Sequence, residues 1–117
     1  IRMKVRFNEE IQEPIMAYTF KNIQGTEITG TNTMYENAKI EHSGKGDICT
    51  VTFTQNMNLQ GGEYLLSMSC TGFEQGEHVV YHRLYDVTNI TVISNKNTVG
   101  VYDMESQVKA EKRNADE

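Results

Sequence analysis

A chain of 117 residues in which 38% are apolar and one is proline is long enough for one domain around one core, and too apolar for a disordered segment. Eleven Lys and Arg against sixteen Asp and Glu leave a net charge of −5, a balance that disfavours nucleic-acid and anionic-membrane partners. No run of about 18 apolar residues is present to form a helical span, and no secretory signal is visible. A chain that starts at Ile1 rather than Met fits a piece of something longer.

In chain order, Arg2 to Phe7 alternates, with Met3, Val5 and Phe7 on one side and Arg2, Lys4 and Arg6 on the other. Period two predicts a strand with one buried face. Asn8 to Pro14 is an acidic connector, and Pro14, which cannot donate to a ladder, marks the start of the next strand. That strand, Ile15 to Asn22, sets Met16, Tyr18 and Phe20 against Ala17, Thr19 and Lys21. Gly25 reads as a hairpin tip, because glycine takes positive φ without penalty. Gly30, inside the return strand Glu27 to Thr33, reads as a bulge or a corner. Thr31, Asn32 and Thr33 form either a sheet corner or a place where hydroxyls and an amide face a polar ligand. Met34 to Glu41 leaves a helical turn open. His42 to Asp47 is a loop whose Gly44-Lys45 lacks the upstream glycine and following hydroxyl of a phosphate-binding loop.

Ile48 to Thr54 alternates again, Cys49, Val51 and Phe53 opposing Thr50, Thr52 and Thr54. Gly61-Gly62 signals a turn. Glu63 to Thr71 sets Tyr64, Leu66, Met68 and Cys70 against Leu65, Ser67, Ser69 and Thr71. Gly72 to Gly76 reads as the following turn, Glu77 to Leu84 as a strand, and Asp86 to Asn89 as a break. Ile90 to Ser94 resumes, Asn95 to Asn97 turns, and Val99 to Met104 is a last short strand. About eight short strands at this spacing predict an all-β sandwich or small barrel. It occupies residues 1–104, followed by a polar tail over 105–117. Cys49 and Cys70, inside strand patterns, read as reduced core thiols, which leans cytoplasmic.

Catalytic patterns find little support. His78 and His82 would converge on a helix, but a strand between them sets the pair roughly 13 Å apart, too far for one zinc ion. No metal site or cofactor is expected. Ser67, Ser69, Cys49 and Cys70 lack the glycines of a nucleophile elbow, and Glu9-Glu10 lies in a solvated connector. The Asn89-Ile90-Thr91 sequon matters only in a secreted eukaryotic chain. Binding remains. Rows of hydroxyls beside an Arg, a His and tyrosines suit a sugar, with hydroxyls pairing and a Tyr ring stacking on a pyranose. The plainer reading is that Thr is a good strand former, and Tyr81 and Tyr85 serve equally as core or interface aromatics.

Val5-Arg6-Phe7, Pro14-Ile15 to Phe20, and the Gly25 hairpin with Thr29-Gly30-Thr31-Asn32-Thr33 carry a likeness, as do Gly62-Glu63-Tyr64 and Tyr85-Asp86 ahead of Ile90-Thr91-Val92. Together, over Val5 to Val101, they resemble the C-terminal carbohydrate-binding domain of the nucleotide-binding subunit in bacterial ABC exporters of O-antigen and related polysaccharides, the Wzt type. The resemblance implies an immunoglobulin-like or jelly-roll β-sandwich that is not itself catalytic, with an ATPase preceding it. It implies a homodimer, sometimes with a terminal strand exchanged, and in most relatives a further strand ahead of the one at Arg2. It also implies recognition of the end of a polysaccharide or lipid-linked glycan, on the cytoplasmic side of the cell membrane, held there through the transporter. Sugar contacts in that family form no transferable motif, so the candidates come from the residues alone. They are Thr50, Thr52, Ser67 and Ser69 on one polar sheet face, Tyr81 and Arg83 at its edge, and His82 and Asn32 beyond.

Overall fold

The computed structural model describes residues 1–115. These hold β1 (Arg2–Arg6), β2 (Ile15–Asn22), β3 (Glu27–Asn32), β4 (Ile48–Thr52), β5 (Gly62–Glu74) and β6 (Glu77–Val92), and no helix among the described residues. Every pairing is antiparallel. β1 and β4 form one small sheet, and the other four strands run β3-β2-β5-β6 in a second. The architecture is the all-β antiparallel class that the strand spacing predicts.

Alternation builds the core. Met3, Phe7 and Phe53 from the small layer meet Met16, Tyr18, Phe20, Tyr64, Leu66 and Cys70 from the large one. The Tyr18 ring stands edge-on to Phe53 at 4.9 Å and to Phe20 at 5.5 Å, joining the layers. Burying one side chain of this size contributes about 1.5–3 kcal/mol. The two cysteines in this pattern are free thiols, Cys70 buried and Cys49 half-buried.

Six strands stand where about eight are expected, and each difference has a local cause. Asp86 does not end a strand. Its φ of 51° lets the chain step out of the ladder and rejoin it, so Glu77 to Val92 is one strand with a bulge. Gly72 does not start a turn either. β5 continues to Glu74, and the reversal falls at Gln75 and Gly76, whose φ values of 51° and 81° fit a two-residue hairpin turn. Val99 to Met104 pairs only through an isolated bridge from Tyr102 to Leu59, supported by a Lys96–Asp103 ion pair of 2.7 Å. Met34 to Glu41 forms turns rather than a helix. Residues 105–115 form no strand; the last two residues of the expected tail lie outside the described residues.

The Gly25 hairpin forms as read, with φ 89° at Gly25 and the Asn22 side-chain oxygen accepting from Gln24 and Thr26 N–H groups. Gly30 is neither bulge nor corner. It stays in register opposite Thr19, and the irregularity sits at Phe20/Lys21.

Candidate functional site

The outer face of the four-stranded sheet gathers polar side chains from three strands. Ladder register sets Thr19 opposite Ser67, and Ser69 between Ala17 and Arg83. Beside them β6 bulges: Leu66 pairs with Thr88 but Met68 pairs with Leu84, leaving extra chain between. The Asp86 N–H in that bulge donates to Ser67 Oγ at 2.9 Å, and the same hydroxyl lies 3.4 Å from Asp86 Oδ1. Bulges re-aim neighbouring side chains. Here Tyr85 stands out from the sheet, 63% exposed.

Two cations frame that ring. Lys21 Nζ lies 5.1 Å from its centroid and 3.8 Å from Asp86 Oδ1. Arg83 Cζ lies 5.9 Å from the centroid, and its Nη1 donates to Tyr85 Oη at 3.2 Å. These contacts hold the phenol without covering it. The result is an aromatic plate with a guanidinium, an ammonium and a carboxylate around it, and Ser69 follows one strand over, in register with Arg83. Such a set can stack on an apolar ring face and exchange hydrogen bonds with hydroxyls.

Of the residues expected from sequence, Ser67, Ser69 and Arg83 meet here. Ser67 is buried beneath the bulge, so its hydroxyl positions Asp86 rather than facing solvent. Thr50 and Thr52 are elsewhere. They lie on β4, opposite Lys4 and Arg2, and face outward from the other layer. The single polar face expected for Thr50, Thr52, Ser67 and Ser69 is therefore two faces with the core between them. Alternation points each row outward, but it does not say which sheet a strand joins.

Tyr81 turns toward the core margin, where a Cβ on Gly72 would come within 3.0 Å of its ring. Burial, and a 2.9 Å hydrogen bond donated to Glu74, push its phenol up to about 12. His82 pairs across from Cys70 and borders a cleft beside β1. The Asn32 side-chain oxygen accepts the Tyr35 N–H at 2.7 Å and serves a turn. Lys21, Tyr85 and Asp86 are not among the eight residues expected from sequence, where Tyr85 reads as a core or interface aromatic. Lys21 shares the outward phase of Thr19, a signal the sequence carried, whereas Asp86 reads as a strand break in any one-dimensional pattern.

A larger recess of about 630 Å³ lies at another place, lined by Gln12, Glu13, Ile15, Met34, Lys39 and Phe73 among others. A Lys39–Glu13 ion pair and a His42–Glu10 hydrogen bond lie beside it. Of the Thr31-Asn32-Thr33 corner only Thr33 lines it, buried and accepting the Met16 N–H through its hydroxyl, and none of the eight sugar candidates does.

Two antiparallel layers with one irregular, polar outer face define a β-sandwich domain. The chain belongs to the Wzt C-terminal domain family, whose model matches residues 1–104. A domain of this family is the non-catalytic C-terminal part of an ABC transporter ATP-binding protein. A solved structure, the crystal structure of the C-terminal domain of Wzt, is similar with a TM-score of 0.83 at 24% identity, over 94% of this chain and 68% of that one. At that identity the likeness shows the fold. Comparison with the curated proteins gives no match.

Proposed function

We propose that this domain recognises the terminus of a surface polysaccharide, of O-antigen or teichoic-acid type, and so selects it for export by the transporter. The observation that carries this reading is the Tyr85 plate framed by Lys21, Arg83 and Asp86 at the β6 bulge. Family membership supplies the transporter setting. In this reading the domain works on the cytoplasmic side of the membrane, reached through its ATPase, and makes or breaks no bond. Ser69 joins Arg83 at the plate, while Thr50, Thr52 and His82 contact the glycan away from it; Tyr81 and Asn32 support from within. Glycan binding to the domain, followed by titration calorimetry, tests the proposal. Tyr85→Ala abolishes binding with unchanged folding; equal affinity in that variant removes the site.

A second reading, a dimerisation module without sugar binding, draws on a different observation. β6 is a sixteen-residue edge strand with Val80, Leu84 and Val87 each about 40% exposed. Long unpaired edges invite a second chain. Both activities fit one domain, because the edge and the outer face of β6 are separate surfaces.

A further inference from the structure

The smaller layer carries an outer face of a different kind. Arg2, Lys4 and Arg6 point away from the core along β1, and register sets them opposite Thr52, Thr50 and Ile48. Every second residue on a strand repeats at about 6.8 Å, so the three cations form an evenly spaced row. Among the described residues no ion pair engages any of the three, although carboxylates outnumber cations sixteen to eleven in the chain. Lys21, Lys39, Lys96 and Lys109 all have a carboxylate within 4 Å. Of the acids that follow β1 or precede β4 in the chain, Glu10 contacts His42 and Asp47 accepts the Gly44 N–H, and neither reaches the row. A locally positive face thus survives on a chain of net charge −5. Beside it, a cleft of about 380 Å³ runs between β1 and the β5–β6 hairpin, with His82 and Asn8 among its lining residues and Met68 and Leu84 also contributing.

We infer that this face binds acidic sugar units, those bearing a carboxylate or a phosphate, of a polyanionic glycan. The inference rests on the reading that the domain's ligand is a glycan, and it names a second contact and a charge class. Arg2 and Arg6 offer planar forks to carboxylate or phosphate oxygens, and Lys4 offers a point charge between them. Thr50 and Thr52 stand across from Lys4 and Arg2, where they exchange hydrogen bonds with sugar hydroxyls. A protein partner fits the face poorly. A stable interface takes about 20–30 residues a side with an apolar centre, whereas this face is two short strands wide and Ile48 is its exposed aliphatic. Single exposed ion pairs are weak, so the binding is a sum along a polymer and is screened by salt.

The test is titration of the domain with an oligogalacturonate, an oligo(glycerol phosphate), neutral dextran and mannan oligomers, and phosphatidylglycerol vesicles. Each is repeated with the R2Q/K4Q/R6Q variant, with R2K/R6K, and with Tyr85→Ala. All the substituted side chains are exposed, and matching thermal melts confirm folding. Expected is binding of at least one acidic oligomer that weakens about tenfold in the triple Gln variant and falls between about 0.05 and about 0.5 M salt. R2K/R6K, which keeps the charges and loses the forks, retains part of it. Whichever acidic oligomer binds more tightly identifies carboxylate or phosphate as the recognised group. The inference is overturned if acidic oligomers bind no better than neutral ones, if the triple Gln variant binds them as wild type does, or if only the vesicles bind. Acidic-oligomer binding that Tyr85→Ala abolishes and the triple variant leaves intact would strike down this inference alone. Binding of no saccharide at all would strike down the glycan reading with it.

Discussion

At Gly30, an added Cβ would sit 2.5 Å from the Tyr18 carbonyl oxygen and 3.2 Å from Thr19 Oγ1. The neighbour is backbone in the middle of a ladder and cannot swing aside. Gly30→Ala therefore forces β2 and β3 apart, at a cost of about 1–3 kcal/mol, read as a lower urea midpoint. An unchanged midpoint would mean that the strands approach less closely. The thiol of Cys70 makes a second residue-scale case. Burial, reinforced by Cys49, pushes it from 9.0 up to about 11. The unfolded thiol ionises first, near its ordinary value, while the folded one keeps its proton. Its contribution to stability is therefore whole below about pH 9 and is lost as pH rises through about 11. Tyr81, raised from 10.0 to about 12 chiefly by burial, extends the same decline to higher pH. Urea denaturation across this range should show the loss, with a shallower slope in Cys70→Ala. Parallel slopes in the two proteins would contradict it.

The β5–β6 hairpin is the element on which both proposed activities meet. Its two strands have 13 and 16 residues, while β1 and β4 have five each. The small layer cannot cover the inner side of so long a hairpin, which is why Leu84 stays 40% exposed although its neighbour Met68 packs against the core. The free edge of β6 is the strongest pairing surface in the fold. Sedimentation equilibrium should find a dimer, and Val80→Lys with Val87→Lys should shift it to monomer by placing charges along that edge. A wild-type monomer at every concentration would leave the edge without a partner. The bulge at Asp86 serves the other activity. Without it, Ser67 would lose its bond to the Asp86 N–H, and Asp86 its place beside Lys21.

For the molecule as a whole, the long axis is 77 Å and the radius of gyration 19.9 Å, against about 13 Å for a compact domain near this size. The long hairpin and the strandless residues 105–115 account for that shape. The fold class and the core were legible in the sequence, because a period of two with Met3, Phe7, Met16, Tyr18, Phe20, Phe53, Tyr64 and Leu66 on one side leaves little choice of buried face. The site was legible in part. Ser69 and Arg83 could be placed on an outward face, but their separation from Thr50 and Thr52 depends on sheet membership, a long-range fact that no local pattern encodes. Tyr85 and Asp86 were hidden for a different reason: a residue with positive φ marks a break and a bulge with the same signal.

The claim that the Tyr85 face holds a glycan is tested most directly by mapping amide and side-chain chemical-shift changes as the saturating saccharide is added. Changes concentrated at Lys21, Ser69, Arg83, Tyr85 and Asp86, and absent in Tyr85→Ala, are expected. Changes confined to the recess lined by Glu13, Lys39 and Phe73 would contradict the assignment and move the site to the other end of β2.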